Sequence, residues 1–484
     1  MKKRILALLL LAVMLVSMLA ACGGNQDGTT PTGNNGANSG DAQNVNFTVP
    51  EGGYDGSEVT ITFYHTMGQN LRDVLDAYIV EFNELYPNIT IVSEQVGGYD
   101  DVREQISTEI SANNQPNIAY CYPDHVALYN LAKAVTHLDG LIDSQIEITR
   151  ADGTTEILGL TEEQKADFIE GYYNEGKQFG DGLMYTMPLS KSTEVLYYNK
   201  TFFDANNLTV PTTWDELEAV CAQIKAIDPD CIPLGYDSEA NWFITMCEQY
   251  GSPYTSAEEG NHYLFNNETN RGFVKMFNEW FQKGYLTTQT LYGGYTSGLF
   301  VEMTNTNSYM SIGSSAGATH QRPAMVDNAY PFDVGIATIP QVDAANAKVI
   351  SQGPSLCIFQ KSNPQEVIAS WLFVKFLTTN VAFQAEFGMA SGYVPVIKSV
   401  ADNAIYAEYL DKADGGNYIS ALAAKVCLEQ QDAYYTSPAF NGSSTARDEV
   451  GTLMSKCLTM TGSDLDAQIE EAFEDAIDEC EYND

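Results

Sequence analysis

The chain has 484 residues, 44% of them hydrophobic and 18% charged, so it is long enough for more than one lobe and apolar enough to bury a core in each. It carries 64 acidic residues against 24 Lys and Arg, a formal charge of −40. Such a surface repels phosphate backbones, which excludes nucleic acid as a partner, and it keeps an exported protein soluble. The first residues read as an export signal: Lys2, Lys3 and Arg4 form a basic start, and Ile5 to Leu19 is an apolar stretch too short for a secure permanent span. Leu19-Ala20-Ala21-Cys22 resembles a lipobox, so the expected signal peptide is 1–21, with a lipid on Cys22 anchoring the chain at the extracellular face of the cell membrane. Residues 22–56 are mostly Gly, Asn, Thr, Ser and Asp, a composition that cannot offset its ordering entropy and predicts a flexible leash. At about 25 residues a leash of this kind spans roughly 25–30 Å.

From Val59 the pattern alternates. Val59–Tyr64, Ile89–Val92 and Ile118–Tyr122 read as strands, and helices are expected at Leu71–Leu85, Asp100–Ala112 and His125–Lys133. This β, α, β, α, β, α order predicts a parallel sheet covered by helices, with ligand chemistry at the strand ends. Asp152-Gly153 marks a hairpin turn, and one helix is expected over Thr161–Lys177. Val195–Tyr198 is a strand, Lys200–Asn206 one or two helical turns, and Thr213 with Glu216 makes a capping box that starts a helix at Trp214 and runs it to Ile227. Further helices are expected at Glu239–Gly251, Gly272–Lys283 and from Pro364 to Leu377, with strands at Tyr309–Ile312, Phe332–Ile336 and Ser355–Phe359. Beyond Asp402 everything reads as helix.

Cys121, Cys221, Cys231, Cys247, Cys357, Cys427, Cys457 and Cys480 show neither CxxC nor zinc spacing. Buried thiols are the first reading; a Cys221–Cys231 disulfide is the best single bridge. Gly313-Ser-Ser-Ala-Gly317 matches G-x-S-x-G after a strand, the setting of a nucleophile elbow. None of the five histidines follows His320, which lies too close along the chain to serve Ser315 as a base, and no HExxH occurs, so an enzyme is not expected. A secreted carbohydrate-active enzyme and a purely structural surface lipoprotein remain the rival classes. Among the tryptophans, Trp214, Trp280 and Trp371 have core-like neighbours, while Trp242 is the candidate platform for a sugar ring.

Pro188, Leu196-Tyr-Tyr-Asn-Lys200, Phe203, Leu208 and Pro211-Thr-Thr-Trp-Asp-Glu-Leu217 resemble the inter-lobe segment of extracellular solute-binding proteins of ABC importers, sugar-binding family 1. Phe63–Met67, Phe82–Pro87, Gly353–Leu356, Trp371–Leu377 and Ser391–Pro395 extend the match. The resemblance implies an α/β, two-lobed periplasmic-binding-protein-like fold of type II, each lobe a mostly parallel sheet flanked by helices. It places the N-terminal lobe at 57–190 plus 353–392 and the C-terminal lobe at 191–352 plus 393–484. A solute is then held between closing lobes by a monomer that serves the permease subunits of an importer, without cofactor or metal.

The sequence looks most like the glycerol-3-phosphate-binding branch. That similarity puts Tyr99, Asp124, Ser192, Ser315, Gly353 and Tyr393 at ligand-contacting positions with Trp242 nearby; at Asp124 the local spacing differs by one. Phe440 falls where the branch has an arginine, and Arg447 lies one or two helical turns further on. An Asp124 with no compensating base would disfavour a phosphate, so a neutral sugar or oligosaccharide is the first expectation, with glycerol 3-phosphate or a glycerophosphodiester the alternative.

Overall fold

In the computed structural model, residues 47–483 are described apart from 180, 259, 303–307 and 414–417. The expected signal peptide, Cys22 and most of the linker lie outside the described residues.

Two sheets carry the fold. The first has the order β2-β1-β3-β13-β6, from β1 (Val59–His65), β2 (Ile89–Gln95), β3 (Ile118–Cys121), β6 (Thr186–Pro188) and β13 (Ser355–Ile358). A small hairpin of β4 (Glu147–Thr149) and β5 (Thr155–Ile157) stands apart, turning at Asp152-Gly153 as the sequence predicts. The second sheet has the order β14-β12-β7-β10-β8-β9, with β11 also on β7. Its strands are β7 (Ser192–Asn199), β8 (Leu234–Tyr236), β9 (Leu286–Thr288), β10 (Met310–Ser314), β11 (Val334–Thr338), β12 (Val349–Gln352) and β14 (Tyr434–Tyr435).

The β1, β2 and β3 pairings are parallel, as the alternating pattern requires. The parallel expectation also holds for β8 with β10 and β9 and for β12 with β14, and it fails at the strands next to the crossings: β13 is antiparallel to β3 and β6, and β7 is antiparallel to β10, β11 and β12. The cause is the crossing of the chain. A strand that returns from the other lobe enters its sheet from the opposite end, so both sheets are mixed.

One apolar core runs from the first sheet onto β7 and β11 of the second through Val195, Tyr197, Val334 and Ile336, and another belongs to the second sheet. Phe63, Phe82, Trp371 and Phe373 are buried against the first, with Phe82 and Phe373 in edge contact at 5.1 Å. Trp214, Trp242, Phe277 and Trp280 fill the second. The helix that follows Pro211 packs into this second core, and its start is the most legible stretch of the sequence. The Thr213 hydroxyl accepts from Glu216 N at 3.3 Å, and the Glu216 carboxylate accepts from Thr212 N at 2.8 Å and Thr213 N at 3.3 Å, so the helix begins at Trp214 and runs to Ile227.

The helix expected over Thr161–Lys177 is two short ones, Glu162–Asp167 and Glu170–Glu175. Phe168 between them is extended and buried. Its backbone bridges Ile397, and Ile169 N donates to Val396 O at 2.9 Å, so pairing with a distant segment overrides helical propensity. Cys221 and Cys231 are not bridged to each other, and all eight described cysteines are buried. The reading of the cysteines as small apolar side chains fits this placement.

Candidate functional site

The chain passes between the sheets at Leu189–Lys191, between β6 and β7, and at Gly353-Pro354, between β12 and β13. Val394 pairs with Lys191 across a third passage, through Lys191 N to Val394 O at 3.0 Å and Val394 N to Lys191 O at 2.7 Å. Lys191 is fully buried here. Its ammonium bonds the Glu175 carboxylate, Ser355 Oγ at 3.2 Å and Gly353 O at 3.3 Å, tying three segments together. Gly353 has a φ of +101°, and a Cβ there would stand 2.6 Å from Ser190 O, so no other residue fits without moving backbone.

A cleft opens beside these crossings. One wall is Tyr122, Pro123 and Asp124, at the start of the helix Pro123–Leu131, together with Glu175. The facing wall includes Tyr254, Gln352, Ser437 and Arg447. The enclosed space is about 60 Å³, well below the roughly 300–1,000 Å³ of an open ligand pocket, so the walls are drawn close together.

Other contacts hold the same closure. Arg103, from the helix Tyr99–Ser111, bonds Ser444 Oγ and reaches Asp448 at 3.3 Å, both on the helix Ser443–Leu458. Gln178 Nε2 donates to Thr436 Oγ1.

Arg447 is the charge at the centre of this space. Its guanidinium donates to Asn241 Oδ1 and lies 5.9 Å from the Tyr122 ring. Burial alone would lower its pKa, but Asp124 and the neighbouring tyrosines more than reverse that and hold it above its ordinary value. Asn241 in turn touches Glu194, which is fully buried and accepts from the Tyr236 hydroxyl at 2.6 Å. Burial pushes the Glu194 carboxyl up to about 8, against hydrogen bonds and the Arg447 charge that act to lower it.

The residues expected from sequence separate into groups. Asp124 lines the cleft and faces Arg447, its Oδ1 accepting from His125 N at 3.0 Å. Tyr99 is half-buried and stacks on Tyr122 at 4.4 Å and 25°, with Tyr393 as a further phenolic neighbour. Ser192 is buried, its hydroxyl accepting from Ser314 Oγ at 3.3 Å, and Gln352, its register partner on β12, lines the cleft. Ser315 is buried one step further in, where its Oγ accepts from Thr193 N at 3.4 Å and Cys427 is a neighbour. Gly353 shapes the crossing.

Trp242 is a correction. It has no exposed surface and stacks on Tyr236 at 4.5 Å and 13°, with Phe277 at 4.3 Å, inside the second core. A ring enclosed in this way cannot serve as a ligand platform. The polar residues before it, Glu239 and Asn241, set it apart from the other three tryptophans in the sequence, but both are themselves buried here.

Phe440 does not leave the cleft without a base. That ring is buried and stacks on His262 at 4.5 Å and 9°, while Arg447 enters the cleft, so Asp124 does have a base. Tyr122, Tyr254, Asn241 and Glu194 were not singled out from sequence. Arg447 carried the one readable signal: it is the only arginine after Arg322 in a chain with so few bases.

Two sheets joined by repeated crossings, with a polar cleft gripped from both sides, define a two-lobed α/β solute-binding protein. Residues 77–413 match the bacterial extracellular solute-binding protein family, and the chain belongs to it. The sn-glycerol-3-phosphate-binding periplasmic protein UgpB of Salmonella typhimurium is 25% identical over 374 residues, covering 74% of this chain and 79% of that protein. UgpB of Escherichia coli strain K12 is 26% identical over 358 residues, covering 71% and 75%.

Solved structures share the fold. UgpB from Mycobacterium tuberculosis in complex with glycerophosphocholine has a TM-score of 0.67 at 16% identity, covering 87% of this chain and 99% of that one. The cyclic alpha-maltosyl-1,6-maltose binding protein from Arthrobacter globiformis has a TM-score of 0.66 at 19% identity, covering 88% and 100%.

Proposed function

We propose that the protein captures a neutral mono- or oligosaccharide between its lobes and presents it to the permease subunits of an ABC importer. The observation that carries the sugar reading is charge balance. The cleft's two carboxylates are each answered by a cation: Glu175 by Lys191 and Asp124 by Arg447. A phosphate dianion entering this space would meet no surplus positive charge, whereas sugar hydroxyls can donate to Asp124 and accept from Arg447. Tyr99, Asp124, Ser192, Gly353 and Tyr393 are the proposed contacts or supports. Arg447 joins them.

A second reading rests on Arg447 itself. A guanidinium in the cleft is the group that binds a phosphodiester, and the named relatives bind sn-glycerol 3-phosphate or glycerophosphocholine. Calorimetric titration with a panel of maltodextrins, sn-glycerol 3-phosphate and glycerophosphocholine decides between them. A sugar that binds and is weakened by Arg447→Ala by about 1.5–3 kcal/mol, as for a hydrogen bond to a charged group, supports the first reading. Micromolar binding of a phosphate compound, lost in the same variant, replaces it.

The protein is proposed to bind without catalysis, since Ser315 is buried beneath β7 and its hydroxyl is engaged by Thr193. Chromatography of an oligosaccharide after incubation with the protein should show no turnover. The lobe boundaries 57–190 plus 353–392 and 191–352 plus 393–484 are proposed on the crossings at 191 and 353. A lipid on Cys22, anchoring the chain at the extracellular face, is proposed from the lipobox; intact mass of membrane-extracted protein tests it.

A further inference from the structure

A second cavity, of about 790 Å³, lies beside the cleft. Strand β12 and Thr436 form the partition: Ile350 and Gln352 line only the cleft, while Ser351 and Thr436 border both spaces. Beyond the partition, Tyr172, Ile397, Tyr406, Leu428 and Tyr434 line only the second cavity. Its volume is that of a small-molecule site, within the roughly 300–1,000 Å³ range.

Tyr172 and Tyr406, 4% and 2% exposed, are packed into its wall, and Ile397 and Leu428 add aliphatic surface, so an occupant meets an apolar lining there.

The charges at the rim fix the sign of that occupant. Glu170 and Asp432 are exposed carboxylates, and Lys398, the one cation among the lining residues, donates its ammonium to Ala166 O at 2.8 Å. Four tyrosines, Tyr172, Tyr406, Tyr434 and Tyr435, bring aromatic rings to the same wall, and ring faces attract cations. We propose that this cavity is a second ligand site, separate from the solute cleft, for an organic ammonium ion on an apolar body. The body packs among Ile397, Leu428 and the tyrosine rings. The ammonium faces the two carboxylates.

Three molecules with one indole body and different charge test this by isothermal titration calorimetry on the full chain at pH 7: tryptamine, the neutral alcohol tryptophol, and indole-3-acetate. Tryptamine should bind saturably with one site and at least about tenfold more tightly than tryptophol, with indole-3-acetate showing no binding. Paired substitution of the rim, Glu170→Gln with Asp432→Asn, should bring tryptamine down to the tryptophol level without altering tryptophol itself.

Equal binding of the three indoles, or no saturable binding of tryptamine, overturns the proposal. So does tryptamine binding that the rim variant leaves intact, since the general negative charge of the chain would then be its cause.

Discussion

Glu194 and Trp242 show how burial sets the role of a single side chain in this protein. Glu194 ionises at its ordinary value of 4.5 when the chain is unfolded and holds its proton to about 8 when folded, because burial disfavours the carboxylate. The folded state therefore binds more protons than the unfolded state between those values. Its contribution to stability is fully present below 4.5, declines as pH rises through the window and is level above about 8. The Glu194→Gln variant keeps an acceptor for the Tyr236 hydroxyl without the titration, so its melting temperature should fall less between pH 5 and pH 8 than that of the native chain; parallel curves would refute this. Trp242 is a matter of packing. Trp242→Ala removes a ring from contact with Tyr236 and Phe277 and should cost about 3–5 kcal/mol in urea unfolding, a large loss of stability that a surface platform would not produce.

At the scale of elements, the crossings are places where backbone touches backbone. A Cβ at Gly392 would stand 1.7 Å from the Ser315 carbonyl oxygen, so Gly392→Ala forces the segment before Val394 away from the turn that begins at Ser315. The expected cost is about 1–3 kcal/mol or more in chemical denaturation, as for an overpacked site. Gly272 in the helix Glu268–Gln282 is the matched control, with nothing within 4 Å of an added Cβ, and Gly272→Ala should instead stabilise by about 0.8–1 kcal/mol through helix propensity. If the two substitutions behave alike, close approach at the crossing is not what requires Gly392. The same reasoning explains the helix that divides at Phe168, since the interruption frees Ile169 N to bond Val396 on another passage.

For the molecule as a whole, polar contacts link the facing walls, among them those between the helices Tyr99–Ser111 and Ser443–Leu458 and that of Gln178 with Thr436. Arg103 makes the helix contacts, bonding Ser444 and reaching Asp448. Arg103→Ala should shift the population toward open lobes, seen as a larger radius of gyration in solution X-ray scattering without solute, while saturating solute should restore the native value. A radius unchanged by the substitution would place the closing energy elsewhere. The expected shift is small, because a partly exposed ion pair contributes only about 1 kcal/mol or less.

What the sequence determined by itself was local and periodic. The capping box at Thr213 set the start of the helix Trp214–Ile227, and Asn363 before Pro364 set another, its Oδ1 accepting from Gln365 N at 3.0 Å. Strand and helix alternation from Val59 to Leu131 placed three parallel strands, because apolar spacing and helix ends are properties of adjacent residues. Asp124 was legible as a cleft residue only through resemblance, and so was Tyr99 as a neighbour of the cleft-lining Tyr122. Tertiary structure alone decided the rest. Strand direction at β13 depends on where the chain re-enters its sheet, and two-residue β14 gains its partner β12 from more than eighty positions earlier in the chain. Whether Trp242 faced solvent or Tyr236, and whether Phe440 or Arg447 reached Asp124, turned on packing between segments far apart in sequence. Periodicity assigns a side chain to a face; it does not say what that face meets.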